Sequence, residues 1–191
     1  INAYFKRCEM LINVILEETV QLYSHKFTNS LSKQKKKDFI PRSQEILDQD
    51  TLPAIEIVAC LNSLYAQTIL HLKKENLKFF LMKVGTDLYQ QLLEHFKKYQ
   101  VNSIGGIILT KDIIGYQNAI EEWKIQELLD DFATLRELAN LFTVQPELLD
   151  SLTKEGRLSN VGADIISEYI AKREDFNHES FVTKFRLNLK S

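Results

Sequence analysis

An all-α fold, with its helices packed as an antiparallel bundle, is predicted by three observations. Six glycines and three prolines serve 191 residues, too few for the tight turns that an all-β or α/β domain needs. Apolar residues recur at alternating spacings of three and four along most of the chain, the period of one helix face. The stretches between these patterns are mostly short, about two to six residues, a length that makes sequential helices antiparallel neighbours. With 45% hydrophobic residues, the chain can build one large core or two small ones.

Phe5, Cys8, Ile12, Ile15, Thr19 and Leu22 repeat at three and four, which predicts a long amphipathic helix over 1–28 with a heptad-like stripe. The pattern fades after Phe27. Asn29 to Lys37 carries one apolar residue, Leu31, and the lysines Lys33, Lys35, Lys36 and Lys37. Residues 29–50 therefore read as a basic linker or loop, with 29–41 expected to be mobile because few apolar residues are present to offset the entropy of ordering them. Clustered lysines can also meet anionic lipid, so these four are candidate lipid contacts; four is the low end of such clusters, and a solvated charge run is the plainer reading.

Residues 51–191 are expected to form the rest of the bundle, packed with the first helix. Its first helix begins near Thr51, with Pro53 in the first turn where a missing N–H costs nothing, and buries Ala54, Val58, Leu61, Tyr65, Ile69 and Leu72. A third runs over roughly 76–99 through Leu77, Phe80 or Leu81, Val84, Leu88, Leu92, His95 or Phe96, and Tyr99. Leu109, Ile113, Tyr116, Ile120 and Trp123 lie on one face of a helix that Ser103 can cap. Gly105 and Gly106 each cost this helix about 1 kcal/mol against alanine, so they are expected where a neighbouring helix backbone passes closely. A helix over about 125–143 follows, then a short one with Pro146 at its start and Gly156 beyond its end. Ser159 or Asn160 can cap another, and Asn177 a last one through Phe181 and Phe185.

Lysine plus arginine number 24 against 26 acids, a net charge of −2. That balance gives no general pull toward nucleic acid. Cys8 and Cys60 have no CxxC spacing and read as buried small hydrophobes in a reducing compartment, without a disulfide. The chain does not begin with methionine and its first residues do not form a signal peptide, so it reads as a piece of something longer. The histidines His25, His71, His95 and His178 stand far apart, with no HExxH, and no phosphate-cradling glycine loop or nucleophile elbow is present. No cofactor or metal is expected, and His95 reads as a hydrogen-bonded core histidine. Glu121, Glu122, Glu127, Asp130 and Asp131 cluster near a helix junction in a wet neighbourhood that would not shift their pKa values for catalysis; they suit a solvated face or a basic patch on a partner. Asp112 stands in an aliphatic helix, either on the solvent face beside Lys111 or buried against a base from another helix.

The run Val101 to Tyr116, Val-Asn-Ser-Ile-Gly-Gly-Ile-Ile-Leu-Thr-Lys-Asp-Ile-Ile-Gly-Tyr, resembles a segment near the C-terminus of the exocyst component five family. The preceding Leu92-Leu93-Glu94-His95-Phe96 and the stretch Leu135 to Leu149 are similar to that family too. The resemblance covers about 76–175; the lysine run departs from the pattern. It implies a rod of stacked helical bundles, a non-catalytic scaffold of a vesicle-tethering complex, and partners among the other exocyst subunits, notably component six, the receptor for a vesicle-borne Rab GTPase. A cytoplasmic position at plasma-membrane sites of secretion and an indirect membrane contact are implied with it. Within the run, Ser103, Gly105, Gly106, Asp112 and Tyr116, together with Trp123, are the residues expected to define the structural motif.

Overall fold

The computed structural model describes residues 2–43 and 49–176. Seven α-helices follow one another: α1 (Asn2–Leu31), α2 (Leu52–His71), α3 (Lys74–Phe96), α4 (Ser103–Glu121), α5 (Gln126–Asn140), α6 (Leu149–Lys154) and α7 (Ala163–Ile170). Short 3-10 turns at Pro146–Leu148 and Leu158–Asn160 flank α6. The all-α expectation holds. The last expected helix, with His178, lies outside the described residues.

One continuous apolar core runs from Leu16 in α1 to Ile170 in α7. The most extensive contact is between the sequential helices α4 and α5; α1 lies along α3, α2 along α4 and α3 along α5, and α1 also touches α2. Pairing of helices two apart thus accompanies the sequential pairing that loop length predicts. Gly85 shows what allows the α3–α5 approach. A methyl group there would stand 2.4 Å from Leu128 Cδ1, so the side chain of α5 occupies the space that any other residue of α3 would fill.

The stripe of α4 is buried as its spacing predicts, with Leu109, Ile113, Tyr116, Ile120 and Trp123 all in the core. In α2 the buried face is rotated from the expected one: Ile57, Leu61 and Leu64 are fully enclosed, Val58 and Tyr65 only partly so, and Ile69 is 47% exposed. This helix is apolar and long enough to cross a membrane by length and composition alone. Its enclosed residues belong to the core, and Glu56 on its outer face is paired with Lys33 at 2.6 Å. Thr51 caps it, accepting from the Ala54 N–H.

The first helix differs most. Its core contacts are Leu16, Val20, Phe27 and Leu31, with Tyr23 packed against Phe80. The heptad-like stripe lies on another face: Phe5, Ile12, Ile15 and Leu22 are exposed. Two apolar faces share one helix, and periodicity alone could not say which of them the bundle takes.

Residues 32–41 are a packed strap. Helix α1 runs to Leu31, past the expected boundary, and tight turns follow: Gln34 N–H donates to the Leu31 carbonyl at 3.1 Å and Asp38 N–H to the Lys35 carbonyl at 3.1 Å. Asp38 ties the turn by accepting from Gln34 Nε2 at 2.6 Å and from the Lys35 N–H at 2.9 Å. At the end of the strap Phe39 is wholly enclosed, its ring edge-on to Phe96 and Tyr99. The mobile linker expected here is thus corrected for these residues: one aromatic side chain with a seat in the core outweighs the lysines, which remain in solvent. Gln44 to Asp48, the rest of that stretch, lie outside the described residues.

Candidate functional site

The sequence motif centred on α4 becomes a node where four segments of chain meet. Asn102 organises it. Its side-chain Oδ1 accepts from the Gly105 N–H at 2.8 Å, which makes Asn102 the cap of α4. Ser103, expected in that role, is the first helical residue; of two adjacent capping types the helix uses the earlier. The Asn102 side chain also donates through Nδ2 to the Pro41 carbonyl at 2.8 Å, and its backbone N–H to the Phe39 carbonyl at 3.0 Å. One residue therefore starts the helix and fastens the strap.

The two glycines are needed by different neighbours. A methyl group on Gly105 would stand 1.8 Å from the Phe39 carbonyl oxygen; one on Gly106 would meet Phe142 Cβ at 2.8 Å and Thr143 Cγ2 at 2.9 Å. Close backbone approach is what the sequence predicts at this pair. The approaching backbone is the strap and not another helix, and at Gly106 the contacts are mainly side chains that follow α5.

From the opposite side, the segment after α7 closes on the same connector. Val101 N–H donates to the Lys172 carbonyl at 2.9 Å and Glu174 N–H to the Val101 carbonyl at 2.9 Å, a single parallel bridge. Arg173, buried, donates to the Val144 carbonyl at 2.7 Å and to the Leu141 carbonyl, so it satisfies carbonyls left open where α5 ends. Its guanidinium also pairs with Asp175 at 2.7 Å. Arg173 and Phe39 were not legible as site residues, because nothing near them in sequence marks a long-range partner.

Farther along α4, Asp112 is buried and takes the second of the two readings in altered form. Its partner is a hydroxyl and an amide: Thr51 Oγ1 donates at 2.7 Å and Thr51 N at 3.2 Å. Lys111 instead pairs with Asp50 at 3.2 Å. Burial pushes the Asp112 carboxyl up to about 7, opposed by the Thr51 hydrogen bonds and aided by the negative Asp50 and Asp38. The neighbouring Tyr116 is enclosed and its phenol is pushed well up for the same reason. Trp123 ends the stripe with its ring beside Tyr65 at 6.5 Å, and among the described residues its Nε1 has no hydrogen-bond partner.

His95 lies in the core against Tyr99, at 5.0 Å between rings, and among the described residues its Nε2 finds no hydrogen-bond partner, in place of the expected hydrogen bond. Burial, reinforced by Lys98, lowers its pKa to about 4, so the ring is neutral at physiological pH. Of the acidic cluster, Asp130 pairs with Arg157 at 2.9 Å and Glu127 faces Lys78 at 3.9 Å, while Glu121 and Glu122 are exposed. Lys33 is engaged by Glu56; Lys35, Lys36 and Lys37 project from the strap into solvent. Cys8 and Cys60 are half-buried thiols on different helices. Among the described residues, no three histidine, cysteine or acidic side chains gather as metal ligands would. The node's polar groups are engaged in joining segments of chain, an arrangement that makes this part of the bundle rigid.

The family model described as the exocyst complex component Sec10-like alpha-helical bundle matches residues 1–185. Exocyst complex component SEC10 of Saccharomyces cerevisiae is 59% identical over 189 residues, covering 99% of this chain and 22% of that protein. Exocyst complex component 5 of Caenorhabditis elegans is 30% identical over 146 residues, 76% of this chain and 22% of the relative. The human protein of that name is 24% identical over 182 residues, 94% and 26% of the two chains. The chain thus spans about a quarter of the length of the curated relatives it matches.

Proposed function

The chain belongs to the Sec10-like family of exocyst components, and from that premise we propose that it is a non-catalytic scaffold segment of an exocyst subunit. In this reading the bundle forms part of an elongated rod and works by protein–protein contact, helping to hold secretory vesicles at the plasma membrane before fusion. Its partners are other exocyst subunits, component six foremost, with an indirect link through that subunit to a vesicle-borne Rab GTPase. Its place is the cytoplasmic side of membrane sites where secretion occurs. The observation that carries the reading is the family match over 1–185. The node supports it, since Asn102, Asp112 and Arg173 spend their polar atoms on the chain itself.

Affinity purification of the tagged full-length protein from cell extract, followed by mass spectrometry, tests this. Recovery of the other exocyst subunits at near-equal amounts is expected. Recovery of a different set, without exocyst subunits, would place the bundle in another helical adaptor.

Membrane contact is indirect in this reading, because Glu56 neutralises Lys33 and only three lysines of the run remain to meet lipid, fewer than the usual basic cluster. Changing Lys35, Lys36 and Lys37 together to glutamine leaves sedimentation with anionic liposomes at physiological salt unchanged; a salt-sensitive loss of binding would assign the strap to the membrane.

A further inference from the structure

One row of α4 is left uncovered by the bundle. Ser103, Ile107, Thr110, Ile114, Gln117 and Glu121 recur at alternating spacings of four and three, so they share one face of the helix. None of the six is in the core, and Ile107 is 49% exposed and Ile114 38%. Leu109, Ile113, Tyr116 and Ile120, on the opposite face, are buried. Glu121 is the row's one charge, with Glu122 exposed beside it. Gln117 holds a buried Oε1 that no donor meets among the described residues. The row begins beside the last described residues: Ser103 walls a small cleft together with Glu174 and Asp175, and the Glu174 N–H donates to the Val101 carbonyl at 2.9 Å.

We propose that residues 177–191 cover this row, lying along α4 as an amphipathic helix that runs in the same direction. The sequence supplies a matching face, because Phe181, Val182, Phe185 and Leu189 fall within about 100° of one another at 3.6 residues per turn. Asn177, ahead of them, is a capping type. Length agrees with this placement. Ser103 to Glu121 is about 27 Å at 1.5 Å per residue, and Asn177 to Lys190 is about 20 Å, with the lysine side chain reaching farther. Phe181 and Ile107 each stand four residues beyond those starting points, Leu189 and Ile114 twelve and eleven, so large apolar groups meet at both levels. Charge agrees as well. Lys184, Arg186 and Lys190 outnumber Glu179 and lie in the half that reaches Glu121 and Glu122, whereas Lys111, beside the row, is already paired with Asp50. The exposed half of α1 is a poorer seat: Glu17 pairs with Lys83 and Gln91 donates to Ser24 at 2.9 Å, so α1 runs parallel to α3 and that half lies toward the start of α3, away from Phe176. A segment joined to Phe176 meets the row at an effective concentration near the millimolar range, so a modest apolar face suffices to hold it. Only this chain's own residues take part, so failure of the docking and failure of exocyst capture are separate results.

Hydrogen–deuterium exchange on the full-length protein, purified by itself, tests the docking. Amides of residues 180–190 are expected to exchange at least about tenfold more slowly than in the Ile107→Asp/Ile114→Asp variant, at a rate independent of protein concentration. Both isoleucines are partly exposed in the bundle, so the amides of α4 itself keep their protection in that variant. Should α4 loosen as well, Ile107→Ala/Ile114→Ala is read in its place, with a release of the segment of about threefold. Leu52→Asp, at an exposed position of α2, leaves the segment protected. Fast exchange over 180–190 in the unaltered protein overturns the proposal. Protection that survives both isoleucine variants would seat the segment elsewhere, and protection that grows with protein concentration would give the row to a second copy; either result overturns it too.

Discussion

At the start of α4 every polar atom of Asn102 is engaged and Gly105 leaves no room for a methyl group; along the first half of α1 large apolar side chains stand in solvent. Both stretches look alike in composition, each an aliphatic helix with a clear period. The difference lies in what reaches them. Three distant segments converge on α4 from the strap, the end of α5 and the turn after α7, whereas α1 outruns its neighbours before Leu16. An apolar period shows that a face must be covered, and only the three-dimensional path of the chain shows whether this domain covers it.

That contrast can be broken from the α4 side first. Phe39→Ala removes a wholly enclosed ring from a seat formed by Phe96 and Tyr99, and the loss in chemical denaturation is expected at about 3–5 kcal/mol. A cost under about 1 kcal/mol would return the strap to the status of a linker. Gly105→Ala comes next. Its methyl meets a backbone carbonyl that is itself bonded to Asn102, so overpacking of about 1–3 kcal/mol outweighs the gain of about 1 kcal/mol in helix propensity, and the variant melts lower than the parent. Gly106→Ala melts lower too, by less, because Thr143 can turn aside although Phe142 Cβ cannot.

Asp112 and His95 sharpen the comparison through pH. The folded-state carboxyl of Asp112 titrates at about 7, above its usual range near 4, so the folded protein binds the extra proton and stability falls as pH rises from about 4 to 7. His95 is opposite. Its folded value of about 4 lies below the usual one near 6.5, so stability rises with pH across about 4 to 6.5. Each effect is on the order of a few kcal/mol by linkage, and in the parent they largely cancel. Asp112→Asn should therefore leave stability climbing with pH between 4 and 6.5, and His95→Gln should leave it falling between 4 and 7, both read from urea midpoints. A flat profile in both variants would mean that these groups are wetter than their burial indicates. The smallest effect belongs to α1: in the full-length protein Asn13→Asp, off the exposed stripe, shifts stability by no more than about 0.5 kcal/mol.

Much of the fold was legible, for definite reasons. The stripe of α4 read correctly because Leu109 to Trp123 carries a single period with no competitor, and Gly105 with Gly106 was identifiable as a close approach because two glycines in a helix need a use. What approaches them was hidden. Phe39 is one aromatic residue amid lysines, and its partner Asn102 lies 63 positions on. In α1 the same kind of reading chose the wrong face, since Phe5, Ile12 and Ile15 form a cleaner heptad than Leu16, Val20 and Phe27. Asp112 showed only that a charge sat among aliphatics; Thr51, which satisfies it, is 61 residues away.

Those separations bear on the order in which the protein can assemble. Pro41 to Asn102 and Thr51 to Asp112 each close 61 residues of chain, Ser24 to Gln91 closes 67 and Leu93 to Tyr169 closes 76. Helices can form within about a microsecond, but contacts of this span must wait for the loop entropy to be overcome together. During synthesis Phe39 leaves the ribosome long before Phe96, Tyr99 and Asn102 exist to receive it. The strap therefore cannot settle until Asn102 has been made, and Thr51 waits longer still, for Asp112.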